Sequence, residues 1–161
     1  MSLRKPSSTN PPPDGLVFFT DRDLGNAIPD ALVQAGAEVR RHDNLFASTT
    51  PDTEWLSYVG AQGWIALSRN KKIEKVRVER DIAMRAGVPL FFLVGKLFHP
   101  QLAANLVLTL PRVIRFYKKN PKPFMAKIHR PEAPGLVGID PGRVEMSLTL
   151  EDWRAIISGT K

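Results

Sequence analysis

Short apolar runs alternate with amphipathic segments along the first two thirds of the chain. Four runs have the length of strands, at residues 16–20, 37–41, 64–68 and 88–94, and three of them are rich in aromatic and branched side chains. In the segments between them, apolar residues recur at helical spacing, and each segment is followed by a glycine. Strand and helix thus alternate four times. This pattern predicts a three-layer α/β/α fold with a mainly parallel sheet of four to five strands.

Local signals define individual helix ends. Thr50 is the expected N-cap of the helix before residue 63, with Pro51 at its first position and Asp52 and Glu54 in its first turn. Residues 42–49 are predicted to form the loop before it.

The last third of the chain has a different pattern. A longer helix is expected over residues 100–117, kinked or divided by Pro111, and a strand over 124–129. A hairpin-like strand at 144–148 and a short helix capped by Thr149 follow. We therefore predict a disordered lead-in at 1–14, a domain at 15–131 and a C-terminal extension at 132–161.

The amino-acid composition limits which ligands could hold a metal and in which cellular compartment the protein is expected. The chain has 161 residues, of which 43% are hydrophobic, which is enough for one core. It contains no cysteine, so a metal must be held by oxygen or imidazole ligands. No signal-peptide-like segment and no apolar run of about 20 residues is present, which predicts a cytoplasmic protein without membrane contact.

The net charge of +7 comes from one region. Residues 82–131 contain nine Lys and Arg and no Asp or Glu. Five of these are predicted to bind the phosphates of a nucleic acid: Arg112, Arg115, Lys118, Lys119 and Lys122. Three aromatic residues lie among or near these cations: Phe116, Tyr117 and Phe124. In one interpretation they stack on single-stranded bases. In the other they belong to the core, and the positive charges are solvated at the C-terminal end of a helix, where its dipole favours them.

Acidic side chains follow the predicted strands. In an open parallel sheet, ligands bind at the carboxyl ends of the strands. Oxygen ligands at one edge favour a hard cation such as Mg²⁺ or Mn²⁺, although each acid taken alone is also explained as a helix cap or a surface charge. The residues concerned are Asp21, Asp23, Asp52, Glu54, Asn70, Glu79 and Asp81. We expect Asp21, Asp23, Asp52 and Glu54 to hold the metal.

Five segments carry a more specific pattern, at residues 19–25, 35–39, 50–55, 63–70 and 78–80, of which Thr-Pro-Asp-Thr-Glu-Trp at 50–55 is the most distinctive. In this order they resemble the PIN-like domains of VapC toxins, especially the compact VapC45-type branch. The resemblance covers about residues 16–94. It implies an Mg²⁺- or Mn²⁺-dependent endoribonuclease, the toxin of a toxin–antitoxin pair, with RNA as substrate, a small antitoxin protein as partner and a homodimer as an assembly known in the family.

The same resemblance assigns catalytic positions. Asp21, Asp52 and Glu79 match the acids of the metal pocket, and Asn70 stands where the family usually has Asp. An Asn offers a carbonyl oxygen but removes a negative charge, which lowers metal affinity. The alternatives are therefore a slow nuclease, a site that recruits Asp23 or Glu54, and a catalytically impaired module that binds nucleic acid or a protein without cleaving.

Two other interpretations receive less support. A receiver-like signalling domain needs an Asp at the end of the third strand, where this chain has Ser68, Arg69 and Asn70. His42, His99 and His129 have no mutual spacing typical of a metal site, so we assign them structural or surface roles.

Overall fold

A computed structural model describes residues 15–159 of this protein. The six strands in this range form a single sheet. The predicted lead-in at 1–14 lies outside the described residues. The strands are β1 (Val17–Thr20), β2 (Glu38–Arg41), β3 (Ile65–Ser68), β4 (Pro89–Leu93), β5 (Phe124–Ile128) and β6 (Val144–Leu148). Their order is β2-β1-β3-β4-β5-β6, and only the β5–β6 pair is antiparallel.

This topology confirms the predicted α/β class with a mainly parallel sheet. The described sheet has six strands rather than four to five, because residues 144–148 pair with β5 inside the main sheet and not in a hairpin of their own. The boundary at residue 131 stays a prediction.

The described chain has seven α-helices, of which six lie between strands and the last follows β6. They are α1 (Ala27–Gln34), α2 (His42–Leu45), α3 (Asp52–Gln62), α4 (Lys72–Lys75), α5 (Arg77–Ala86), α6 (His99–Lys119) and α7 (Leu150–Ser158). The one-turn helix α2 replaces the first part of the loop predicted at 42–49. None of the helices among residues 15–159 has the length and apolar character of a membrane span.

Two helix predictions need correction. Pro51 is the N-cap of α3 and Asp52 its first residue, so the assignment of Thr50 as N-cap was wrong by one position. Pro111 lies inside α6 without dividing it. The proline is on the exposed side of the helix, where water can hydrate the carbonyl that loses its amide partner. Thr149 caps α7 as predicted, accepting from Asp152 N at 3.0 Å.

The sheet separates two apolar clusters. Adjacent strand residues point to opposite faces, so Phe18 packs in one cluster with α1 and α6, and Phe19 packs in the other with α3 and α5. This arrangement confirms the three-layer α/β/α architecture.

The aromatic residues near the basic helix end belong mainly to the core. Phe116 packs edge to face on Phe91 and on Phe124, with ring centroids 5.9 and 5.3 Å apart. Phe124 is fully buried, so stacking on RNA bases is not open to it. Tyr117 is half-buried and carries the Lys122 ammonium 4.2 Å from its ring centroid.

Candidate active site

The carboxyl ends of β1, β2 and β3 meet at one edge of the sheet, where they border an open cleft. Its volume is about 520 Å³. The cleft is lined by Asp21, Arg22, Asp23, His42, Ser48, Thr50, Asp52, Arg69 and Asn70. Three of the four predicted metal-binding acids therefore come together here.

Asp21 is the most buried acid of the cleft, with 8% of its surface exposed. It is the first residue after β1, and its carboxylate accepts hydrogen bonds from Arg22 N at 2.7 Å and Ser68 Oγ at 2.8 Å. Burial, followed by the nearby charge of Asp23, raises the pKa of Asp21 to about 6. The site thus concentrates negative charge that a cation would neutralise.

Asp23 lies two residues beyond Asp21, at the rim of the same cleft. Both of its carboxylate oxygens are 3.2 Å from the Arg69 amide nitrogen, which donates to them. Partial desolvation raises the pKa of Asp23, and the backbone amide and charge of Arg69 oppose this shift. Asp23 thereby ties the β1 end to the β3 end.

Asp52 is oriented by two neighbours. The Trp55 indole donates to Asp52 Oδ1 at 2.8 Å, and Asn70 Nδ2 donates to Asp52 Oδ2 at 3.0 Å. Trp55 is fully buried and stacks on Phe19, with ring centroids 5.1 Å apart. A buried indole N–H requires an acceptor, so the Asp-x-x-Trp spacing places that acceptor one helical turn before the ring.

Asn70 is held on three sides. Its backbone amide donates to Ser68 Oγ at 2.9 Å, and its side-chain oxygen accepts from Lys72 N at 3.2 Å. Its amide group therefore faces Asp52 as a donor. A carboxylate at this position would instead set two negative charges against each other.

Three other predicted acids lie outside the cleft lining. Glu54 is exposed on α3, because residues two apart in a helix point in different directions and Asp52 takes the direction of the cleft. Glu79 is half-buried on α5, where burial and then the charge of Asp52 raise its pKa. Asp81 accepts from the Trp153 indole at 2.9 Å and is a structural residue.

The five basic residues predicted to bind nucleic acid lie along the second half of α6 and just after it. Gly25 approaches the start of α6 so closely that a Cβ there would lie 2.8 Å from His99 Nδ1, which puts the start of α6 beside the cleft edge. The helix has 21 residues, about 30 Å of rise, and β5 then begins at the opposite edge. The structure therefore does not bring Lys118, Lys119 and Lys122 to the cleft.

Arg112 forms a hydrogen bond within the fold, since its guanidinium donates to the Gly142 carbonyl at 2.7 Å. Arg115 is exposed on the same helix.

His42 is a cleft residue that the sequence analysis assigned to a structural or surface role. Its ring is only 2% exposed and packs near Phe19 and Trp55. Within residues 15–159, its buried Nδ1 has no hydrogen-bond partner, and the nearest carboxylate oxygen, of Asp43, is 3.7 Å away. The strand-end rule could have found it, because β2 ends at Arg41.

The donor set fits a hydrated Mg²⁺ or Mn²⁺. Across residues 15–159, no three His, Asp or Glu side chains are close enough to enclose a metal by themselves. Mg²⁺ keeps several waters and is usually bound through one or two carboxylates and the substrate phosphate. The desolvated carboxylate of Asp21, facing the charges of Asp23 and Asp52, meets that smaller requirement.

Comparison with known families adds one match. A family model described as a PIN-like domain matches residues 16–95, which include β1 to β4 and every residue that lines the cleft. No curated protein and no solved structure is significantly similar to this chain. The match is to the PIN-like domain in general, so the finer resemblance to VapC toxins stays a prediction.

Proposed function

We propose that this chain, in which residues 16–95 match a PIN-like domain model, is a metal-dependent ribonuclease. Asp21 and Asp52 hold Mg²⁺ or Mn²⁺ in the cleft, and Asp23 adds negative charge beside them. The observation that carries the proposal is the buried carboxylate of Asp21, whose pKa is raised to about 6 in an open cleft shared with two other acids.

The residues of the cleft divide the work of phosphodiester hydrolysis. A bound divalent cation supplies charge neutralisation at the phosphate and a water of lowered pKa. Ser68 and Arg22 N fix the Asp21 carboxylate, and Trp55 and Asn70 fix that of Asp52. Arg69 and His42 line the cleft beside these carboxylates, and their N–H groups would donate to the oxygens of a bound phosphate.

A second candidate function is binding without cleavage. The Asn70 amide already stabilises Asp52 by a hydrogen bond, at the position where the related domains usually carry a third acid. Because this hydrogen bond already stabilises the Asp52 charge, a cation has less negative charge to neutralise in the cleft. This favours a module that binds RNA or a protein partner without cleaving.

One experiment separates the two candidates. The purified protein is incubated with single-stranded and structured RNA and with Mg²⁺ or Mn²⁺, beside Asp21→Asn and Asn70→Asp. Cleavage by the parent that disappears in Asp21→Asn supports the nuclease. Cleavage that appears only in Asn70→Asp supports the binding module, and none in any variant removes the metal-nuclease proposal.

The toxin role is a further part of the proposal. It predicts that expression of the parent arrests bacterial growth, that Asp21→Asn does not, and that a small protein encoded beside it restores growth. Arrest by both proteins alike would contradict a toxin that acts through this cleft.

A further inference from the structure

A second cavity lies at the same edge of the sheet, beyond the carboxyl ends of β4 and β5. Its volume is about 420 Å³. The residues that line it are Val94, Gly95, His129, Arg130, Pro131, Glu132 and Arg143. It adjoins the cleft, since β3 and β4 are neighbours in the sheet.

Arg130 is held in place by neutral groups. Its Nη1 donates to the carbonyl oxygens of Pro131 at 2.9 Å and Glu132 at 3.2 Å. No carboxylate of the described residues forms an ion pair with it. Its guanidinium is therefore preorganised, and no ion pair within the described chain neutralises its charge, which favours anion binding.

Two further cations lie at or next to this cavity, Arg143 in its lining and Lys96 directly after the lining residue Gly95. Arg143 has 58% of its side chain exposed and lies 3.8 Å from the Glu145 carboxylate. Lys96 is exposed directly after Gly95. The Glu145 carboxylate also forms a hydrogen bond with His129 Nε2 at 2.8 Å. Glu132 is the acidic residue among those that line the cavity.

Arg69 links this cavity to the cleft. Its backbone amide contacts Asp23, and its side-chain Nη2 donates to the Gly95 carbonyl at 3.1 Å. One residue thus lines the cleft and reaches the rim of the second cavity.

We infer that this cavity binds a backbone phosphate of the RNA strand whose cleavage takes place at the acidic cleft. The inference rests on the proposed ribonuclease function. The cleft lies over β1 and β3 and the cavity over β4 and β5, about two strand spacings or ~10 Å apart. At this separation, the bound phosphate belongs to a nucleotide close to the scissile bond.

The charge distribution explains why such a subsite is needed. The acids of the cleft repel a polyanion, so a strand needs cations next to them to remain bound. The basic residues at the end of α6 lie at the opposite edge of the sheet. Lys96 and Arg130 follow β4 and β5 at the cleft edge, and Arg143 reaches the same edge because it precedes the antiparallel strand β6.

The test measures binding separately from cleavage. The full chain carrying Asp21→Asn is titrated, in EDTA, into a short labelled single-stranded RNA over a range of salt concentrations. We expect Arg143→Glu and Lys96→Glu each to weaken binding about tenfold and to reduce the salt slope by about 0.7 per lost phosphate contact. Arg154→Glu, the same charge change on exposed α7, is the matched control and leaves both quantities unchanged.

Three results would overturn the inference. They are unchanged affinity in both Arg143→Glu and Lys96→Glu, loss of affinity only in Lys119→Glu at the end of α6, and Arg143-dependent binding of poly-glutamate with no binding of RNA. Arg143-dependent RNA binding together with a wild-type protein that cleaves no RNA would instead overturn the proposed nuclease function and leave the subsite in place.

Discussion

Asp21 destabilises the metal-free fold at neutral pH, because its carboxylate is charged in a buried position. Its pKa of about 6 in the folded state lies above the ordinary value of 3.8. The folded chain therefore binds this proton more tightly than the unfolded chain does. The associated stability is fully present below pH 3.8 and is lost as the pH rises through about 6.

Asp21→Asn is accordingly expected to raise the melting temperature in EDTA at pH values well above 6. The difference between the pKa of about 6 in the fold and the ordinary value of 3.8 corresponds to at most about 3 kcal/mol. The gain should vanish in melting curves recorded below pH 3.8. Asp140→Asn, in an exposed loop, is the control, and a lower melting temperature for Asp21→Asn at both pH values would contradict the interpretation.

Trp55 and Trp64 provide a matched pair for testing how Asp52 is oriented. Both rings stack on Phe19, but the hydrogen bond to Asp52 comes from Trp55. Trp55→Phe should weaken Mn²⁺ binding and cleavage and lower stability by about 1–3 kcal/mol, since a hydrogen bond to a charged acceptor is lost. Trp64→Phe should leave the Mn²⁺ affinity unchanged, as measured by titration calorimetry. Equal effects of the two changes would mean that Trp55 acts by packing alone.

Substitution of His42 is expected to change stability and RNA cleavage in opposite directions. His42→Phe keeps an aromatic ring beside Phe19 and Phe46 and removes a buried nitrogen without a partner in the described chain, a feature that costs about 1–3 kcal/mol. We expect an equal or higher melting temperature together with slower RNA cleavage. Unchanged cleavage would assign His42 to the core only.

The sequence indicated which residues follow strands and line the cleft, but it did not indicate in which direction helical side chains point. Asp21, Asp52 and Asn70 were found because the carboxyl ends of parallel strands share an edge. Glu54 was expected beside them but is exposed on α3 outside the cleft lining, because the sequence pattern does not fix which way the first turn of α3 faces. His42 was missed because its spacing from other histidines was considered and its position after β2 was not.

At the scale of elements, α6 decides where the basic charge lies. The sequence predicted the helix and its cations, but the edge they reach depends on the helix crossing the sheet completely before the parallel strand β5. A shorter connection would have left the same residues near the cleft. Linear charge patterning does not contain this information.

Helix α6 also holds the connection between β5 and β6. Thr109 Oγ1 accepts from Gly142 N at 2.9 Å, and a Cβ on Gly142 would lie 1.6 Å from the His129 carbonyl oxygen. Gly142→Ala should therefore destabilise the fold by about 2 kcal/mol or more and displace the neighbouring Arg143. Gly135→Ala, where a Cβ meets nothing within 4 Å, is the control. The check is thermal unfolding, and equal melting temperatures for the two variants would contradict the close approach.

At the scale of the whole molecule, the proposed metal site predicts that cation binding and folding are coupled through the acids of the cleft. A ligand that binds only the folded state raises stability in proportion to the logarithm of its concentration over its Kd. Mn²⁺ should thus raise the melting temperature of the parent, have little effect on Asp21→Asn, and have a larger effect on Asn70→Asp, which adds a charge beside Asp52. Equal shifts in all three proteins would place the cation elsewhere.

The order of the strands also bears on how copies of this protein associate. In the described sheet the outermost strands are β2 and β6, each of only four or five residues. β2 carries Glu38, Arg40 and Arg41, and β6 carries Glu145. Short, charged outer strands oppose the edge-to-edge pairing that leads to aggregates. A homodimer of this chain would therefore be joined through its helices, leaving the sheet of each copy complete in itself.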